Sequence, residues 1–150
     1  MKISGQQTMP GRPKPIQAGA IAGCQAAILI FFLQLLLQGI GLGGAPNGVA
    51  GAHAILHLQG MPGLLLGLAL FCLSGALWGA LYAAVVPVLT PRSGILFCLI
   101  PWLCAVLFVQ PLLGHFTQSN TGFGGALLSL IENIIGGAFL GYRTPFLAEQ

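Results

Sequence analysis

Long stretches of uncharged apolar residues alternate along this chain with short joints rich in glycine, proline and polar residues. The apolar runs are Ile16–Gly39, Pro62–Leu89, Gly94–Leu113 and Gly122–Tyr142. Each approaches or exceeds the roughly 20 residues that a helix needs to cross the hydrocarbon core of a bilayer. The pattern predicts an all-α membrane protein: one compact bundle of four transmembrane helices over residues 16–143, with short tails at 1–15 and 144–150.

The joints refine the picture. Met1–Pro15 carries Pro10, Gly11, Pro13 and Pro15, and has too little apolar area to offset the entropy of ordering, so it reads as a flexible tail. Residues 41–51 are nearly all small. The stretch after them, from Ala52 to Leu58, suits a short helix lying at the interface, ended by Gly60 and Pro62. Pro62 fits the first turn of the second crossing. Pro87, Thr90, Pro91 and Arg92 read as a tight turn between the second and third crossings. Pro101 removes one backbone hydrogen bond inside the third, freeing the carbonyl of Phe97 and predicting a kink.

Small residues recur at helical spacing inside the runs. Gly19/Gly23, Gly63/Gly67, Gly75/Gly79 and Gly137/Gly141 are GxxxG pairs, and Ala18, Ala22 and Ala26 continue the first. Gly125, Ser129, Asn133, Gly137 and Gly141 form one small or polar stripe along the last run. Lipid tails are as apolar as leucine, so helices associate in a membrane through small residues that let backbones approach. These stripes are therefore expected to be packing seams. Residues 79–87 (GALYAAVVP) and 137–145 (GAFLGYRTP) also echo one another, as two duplicated helical hairpins would.

Composition agrees with this reading. With 56% hydrophobic and 5% charged residues, against about 25% charged in soluble domains, the chain has no means of covering a water-facing surface. Charge then supplies direction. Lys2, Arg12 and Lys14 precede the first run, Arg92 separates the second from the third, and Arg143 follows the fourth, all on one side of the bundle. The positive-inside rule makes that side cytoplasmic, with both termini there, in the inner (plasma) membrane. Basic residues spread over crossing ends give no support to nucleic-acid binding. The first run is too long for the 7–15-residue core typical of a cleaved signal peptide, so it reads as a retained helix. Cys24, Cys72, Cys98 and Cys104 fall within apolar runs, where thiols behave as small hydrophobes rather than as a disulfide framework.

Two groups of residues offer chemistry. Glu132 is the one acid in the body of the chain. A charged carboxylate within a crossing costs roughly 2.5–3.5 kcal/mol, so such residues face the bundle. Asn133, Gln25 and Ser74 are its expected partners, with Gln34 and Gln110 extending a polar path outward. This cluster is either a protonated peg fixing helix register or a proton carrier. On the opposite side, His53 and His57 would share a face if helical, and His115 offers a third nitrogen, a set able to hold a transition metal or, with His115 opposed to the pair, a haem. No acidic residue stands near to complete that site, and the expected cofactor is none. Trp78 and Trp102 lie too deep for an interfacial belt and are expected to pack within the bundle. No nucleotide loop, metalloprotease helix or nucleophile elbow is present, so no enzyme is predicted.

Residues 75–82 (GALWGALY), Ile100-Pro101-Trp102 and the Gly-rich last helix ending Gly141-Tyr142 together resemble the YagU-like group of small bacterial inner-membrane proteins. That resemblance implies a four-helix membrane protein and no established activity. The sequence thus points first to a non-enzymatic membrane component whose seams serve self-association or a larger membrane complex. The alternatives are a proton-coupled transporter using Glu132 and metal or haem binding at the histidines.

Overall fold

A computed structural model describes residues 15–42, 56–109 and 123–149, together with Pro46, Val49 and His53. Its elements are α1 (Pro15–Gly39), α2 (Gly60–Val85), α3 (Pro91–Cys104, prolonged by a π-helical turn at Ala105–Val109) and α4 (Phe123–Ala148). Among the described residues there is no strand. The four helices are long and apolar enough to cross a membrane. Met1–Lys14, the expected tail, lies outside the described residues.

Three boundaries differ from expectation, each for a local reason. The second run was read as helical to Leu89, but α2 stops at Val85. Val86 precedes a proline, which disfavours helical geometry, and it is extended at φ −95° and ψ 113°. Its N–H still closes the last turn on Tyr82 O at 3.0 Å. The third helix begins at Pro91 rather than Gly94. Thr90 is its N-cap, Pro91 takes the first helical position, and Ser93 completes a reciprocal cap: Ser93 N donates to Thr90 Oγ1 at 3.2 Å and Thr90 N donates to Ser93 Oγ at 3.0 Å. The fourth helix was expected to end at Tyr142 and leave a tail at 144–150, yet it continues through Pro145 to Ala148. Glu149 N bonds to Pro145 O at 3.1 Å and Thr144 Oγ1 donates to Leu140 O at 2.8 Å, so the turns around the proline stay closed.

Packing follows the small residues. A methyl group built on Gly19 would overlap the carbonyl oxygen of Gly79, and one on Gly23 that of Gly75; the reverse substitutions collide in the same way. α1 and α2 thus run antiparallel with backbones in direct contact. The second hairpin repeats the device: a methyl on Gly137 would meet Gly94 O at 2.7 Å, and one on Gly141 would overlap Thr90 O. α1 also packs on α4, so the order of contact is α2–α1–α4–α3, and α2 and α3 share no comparable backbone approach. α1 is accordingly the central helix, with Ala18, Ala22, Ala26, Ile30, Phe31 and Gln34 buried.

The ring is closed between α2 and α3 by side chains at the end where the termini lie. Phe97 places its ring 4.9 Å from Trp78 and 5.3 Å from Tyr82. Tyr82 is fully buried and its hydroxyl donates to Thr90 O at 3.1 Å and lies 2.8 Å from Ser93 Oγ. Leu140 and Cys98 complete this small core.

The candidate site: a polar cavity between the two hairpins

Glu132 is half-buried on α4 and turns toward α1, where Gln34 Nε2 donates to Glu132 Oε2 at 2.8 Å. Gln34 is itself 8% exposed. The two residues form part of the wall of a cavity of about 300 Å³ that draws on all four helices. Gly23, Ala26, Ala27 and Ile30 of α1 supply its floor. Phe71, Ser74, Gly75 and Trp78 of α2 face Glu132, Asn133, Gly136 and Gly137 of α4, and Cys98 is the contribution of α3.

The cavity exists because of where the small residues stop. Gly23/Gly75 and Gly94/Gly137 draw each hairpin tight near the terminal end. Towards the loop end larger side chains intervene, and Gly136, with Ile30 atoms at 3.5 and 3.8 Å from a methyl built on it, is in ordinary contact only. Pro101 and the π-helical turn alter the backbone of α3 beyond this point, where extra residues per turn widen the helix. Trp102 then anchors α3 to α4, its Nε1 donating to Ser129 Oγ at 2.6 Å. Asn133 Nδ2 donates to Ser129 O at 2.8 Å. Trp78 of α2 and Cys98 of α3 both line the cavity across the α2–α3 gap. Ser74 lines the cavity and is also exposed, so the cavity reaches the surface of the described structure beside α2.

The sequence echo has a counterpart here. Setting Gly79 over Gly137 also sets Ser74 over Glu132, Gly75 over Asn133 and Trp78 over Gly136. All of these but Gly79 line the cavity. Corresponding seams likewise set Gly19 over Gly94 and Gly23 over Cys98, both of the latter being lining residues. The two hairpins present corresponding positions to one shared space.

Of the expected cluster, Glu132, Asn133 and Ser74 come together around this cavity. Gln25 does not join them. Its Oε1 accepts from Arg143 Nε at 3.1 Å, and the guanidinium also lies 4.8 Å from the Phe146 ring centre. Gln25 and Gln34 are separated by roughly 14 Å along α1, at 1.5 Å per residue. In the bundle Arg143 lies beside Gln25, and Glu132 lies level with Gln34. Gln34, read as extending a polar path from Glu132, is its direct partner, while Phe71, Trp78 and Cys98 are site residues that the sequence reading did not set beside it. Gln110 lies outside the described residues.

The remaining candidates fall elsewhere. Gly19, Gly23, Gly75, Gly79, Gly137 and Gly141 sit at helix–helix contacts, and Gly125 is half-buried at the start of α4. Gly63 approaches Leu58 O of its own chain instead of another helix. Cys24 and Cys72 are neighbours across the α1–α2 hairpin, and all four thiols are free. Of the outer histidines, His57 N bonds to His53 O at 3.0 Å and His57 has φ +53°. The His53 ring is taken up by Gln59, whose Nε2 lies 3.0 Å from His53 Nε2. His115 lies outside the described residues, and among the described residues no group of three metal-binding side chains occurs. No family model, curated protein or solved structure matches the chain.

Proposed function

We propose that this protein is a multi-pass inner-membrane carrier that binds a small solute in the cavity at Glu132. Both termini are in the cytoplasm, on the side where Lys2, Arg12, Lys14, Arg92 and Arg143 collect. The YagU-like resemblance agrees with such a placement. The observation that carries the proposal is the position of Glu132: a membrane-depth carboxyl group, held by Gln34, at the wall of a cavity rather than in a packed seam. A residue serving only as a register peg would be enclosed by its partners. Here about 300 Å³ of space adjoins it, at the small end of the roughly 300–1,000 Å³ range of ligand pockets.

Assembly through glycine seams is less well supported, since those glycines are occupied by contacts within the chain. Among the described residues no catalytic constellation stands near Glu132, and the proposed role is binding and passage. The hairpins provide a means: two similar halves, each internally tight, meet across a looser space, so one half can rock against the other.

Proteoliposomes test this reading. A pH gradient imposed across vesicles containing the protein should collapse faster than across empty vesicles when a transported solute is present, and Glu132→Gln should abolish the difference. Equal rates for protein-containing and empty vesicles, over a panel of cationic, neutral and anionic solutes, would sink the carrier reading.

A further inference from the structure

We propose that the occupant of the cavity is a small organic cation, an ammonium group attached to an apolar body; this rests on the carrier reading above. Four features of the wall select that class. Its one ionisable carboxyl belongs to Glu132, and none of the lining residues is Lys, Arg or His. The nearest cation on the same helix, Arg143, is held away by Gln25 and Phe146. An anion entering here would meet a carboxyl group with nothing to offset it.

The second feature is aromatic. Trp78 and Phe71 both face the cavity, and ring faces attract a cation within about 6 Å by roughly 0.5–2 kcal/mol, most strongly when it is desolvated. Third, the polar lining includes groups able to accept N–H donors: the Asn133 side-chain oxygen and the Ser74 hydroxyl, beside the Glu132 carboxyl. Fourth, the remaining wall is Gly, Ala, Ile and Leu with the Cys98 thiol. A bare metal cation needs about six or more oxygens around it, a shell this wall does not supply, whereas a hydrocarbon body matches it. The exposure of Ser74 beside α2 gives such a molecule a way in from the lipid side.

Equilibrium dialysis of the full-length protein in detergent decides the matter, with benzyltrimethylammonium as the cationic probe. Benzyl alcohol and benzenesulfonate serve as neutral and anionic comparators. The cation should bind at least about tenfold more tightly than either, equivalent to about 1.4 kcal/mol. Glu132→Gln, which is isosteric and keeps a hydrogen-bonding partner for Gln34, should lose about tenfold or more for the cation and nothing for benzyl alcohol. Glu132→Asp should stay within about threefold and Trp78→Leu should lose about fivefold, for the cation alone. Helical circular dichroism identifies any variant that fails to fold, and the wild-type probe ranking decides without the variants. Equal binding of all three probes overturns the cation assignment and leaves the carrier reading standing. Preference for benzenesulfonate overturns the assignment in the opposite sense. Binding of none, together with no dissipation of a pH gradient by any solute class, overturns both.

Discussion

The two hairpins are built on the same plan and differ where it matters. In α1–α2 the contact is glycine on glycine at two successive levels, Gly19 with Gly79 and Gly23 with Gly75. In α3–α4 it is glycine on glycine at one level, Gly94 with Gly137, after which the helices are joined by a hydrogen bond from Trp102 to Ser129. The corresponding residues Ser74 and Gly75 of the first hairpin are Glu132 and Asn133 of the second. One hairpin thus spends its middle on close approach and the other spends it on polar side chains. A cavity forms between them because backbones that approach closely on one side cannot also be filled by bulk on the other. The difference shows a division of labour: glycines set the distance, and the polar residues of the second hairpin give the resulting space its chemistry.

The comparison is broken most severely at the seams. Gly79→Leu forces a branched side chain into the Gly19 carbonyl and should cost about 3 kcal/mol or more, as overpacking without room to shift does. Gly137→Leu should do the same to the second hairpin, while Gly39→Leu, with nothing within 4 Å, should be silent. Thermal unfolding in detergent followed by circular dichroism ranks the three, and a silent Gly79→Leu would refute the seam.

A smaller effect is expected at Glu132→Leu, which leaves the Gln34 amide without its acceptor. Buried unmatched donors cost about 1–3 kcal/mol in water-soluble proteins, and interhelical bonds in membranes average nearer 0.6 kcal/mol, so a loss of about 1 kcal/mol is expected. Gln34→Leu combined with it should be less than additive, and strict additivity in the double-mutant cycle would show that the two side chains do not interact. Smaller again is Trp102→Phe, which keeps the ring and deletes the donor to Ser129, for about 0.6 kcal/mol. Its counterpart, Trp78→Leu, should instead remove the ring contact with Phe97, loosen the α2–α3 gap and raise the reactivity of Cys98 toward a membrane-permeant maleimide.

The last test sharpens the register of the first hairpin without altering its energy. Mild oxidation should couple Cys24 to Cys72, which are neighbours across the hairpin, and should spare the exposed Cys104 and the buried Cys98. Peptide mapping by mass spectrometry reads the pairing; a Cys24–Cys98 link would contradict the contact order α2–α1–α4–α3.

What the sequence determined on its own is the material of the fold. Uncharged runs of this length have no stable place in water, and the period of the small residues marks which helix faces meet. That Glu132 must face the interior also follows from solvation cost alone. The ends of the helices were legible only in part. Pro87 and Pro91 were both read as breakers, although one ends α2 by constraining Val86 and the other starts α3 behind the Thr90 cap. Pro145 was passed over as an end although the helix accommodates it.

Contacts between helices decided the site. Which polar residue meets Glu132 depends on how far α4 slides along α1, and that slide is set by contacts between helices, not by the spacing within either. In the bundle Gln25 falls to Arg143 and Gln34 to Glu132. The meeting of Trp78 with Cys98 and the opening beside Ser74 belong to the same class. They arise because close approach in two hairpins leaves unfilled space between them, and no local pattern records a distance between surfaces that only the assembled bundle brings together.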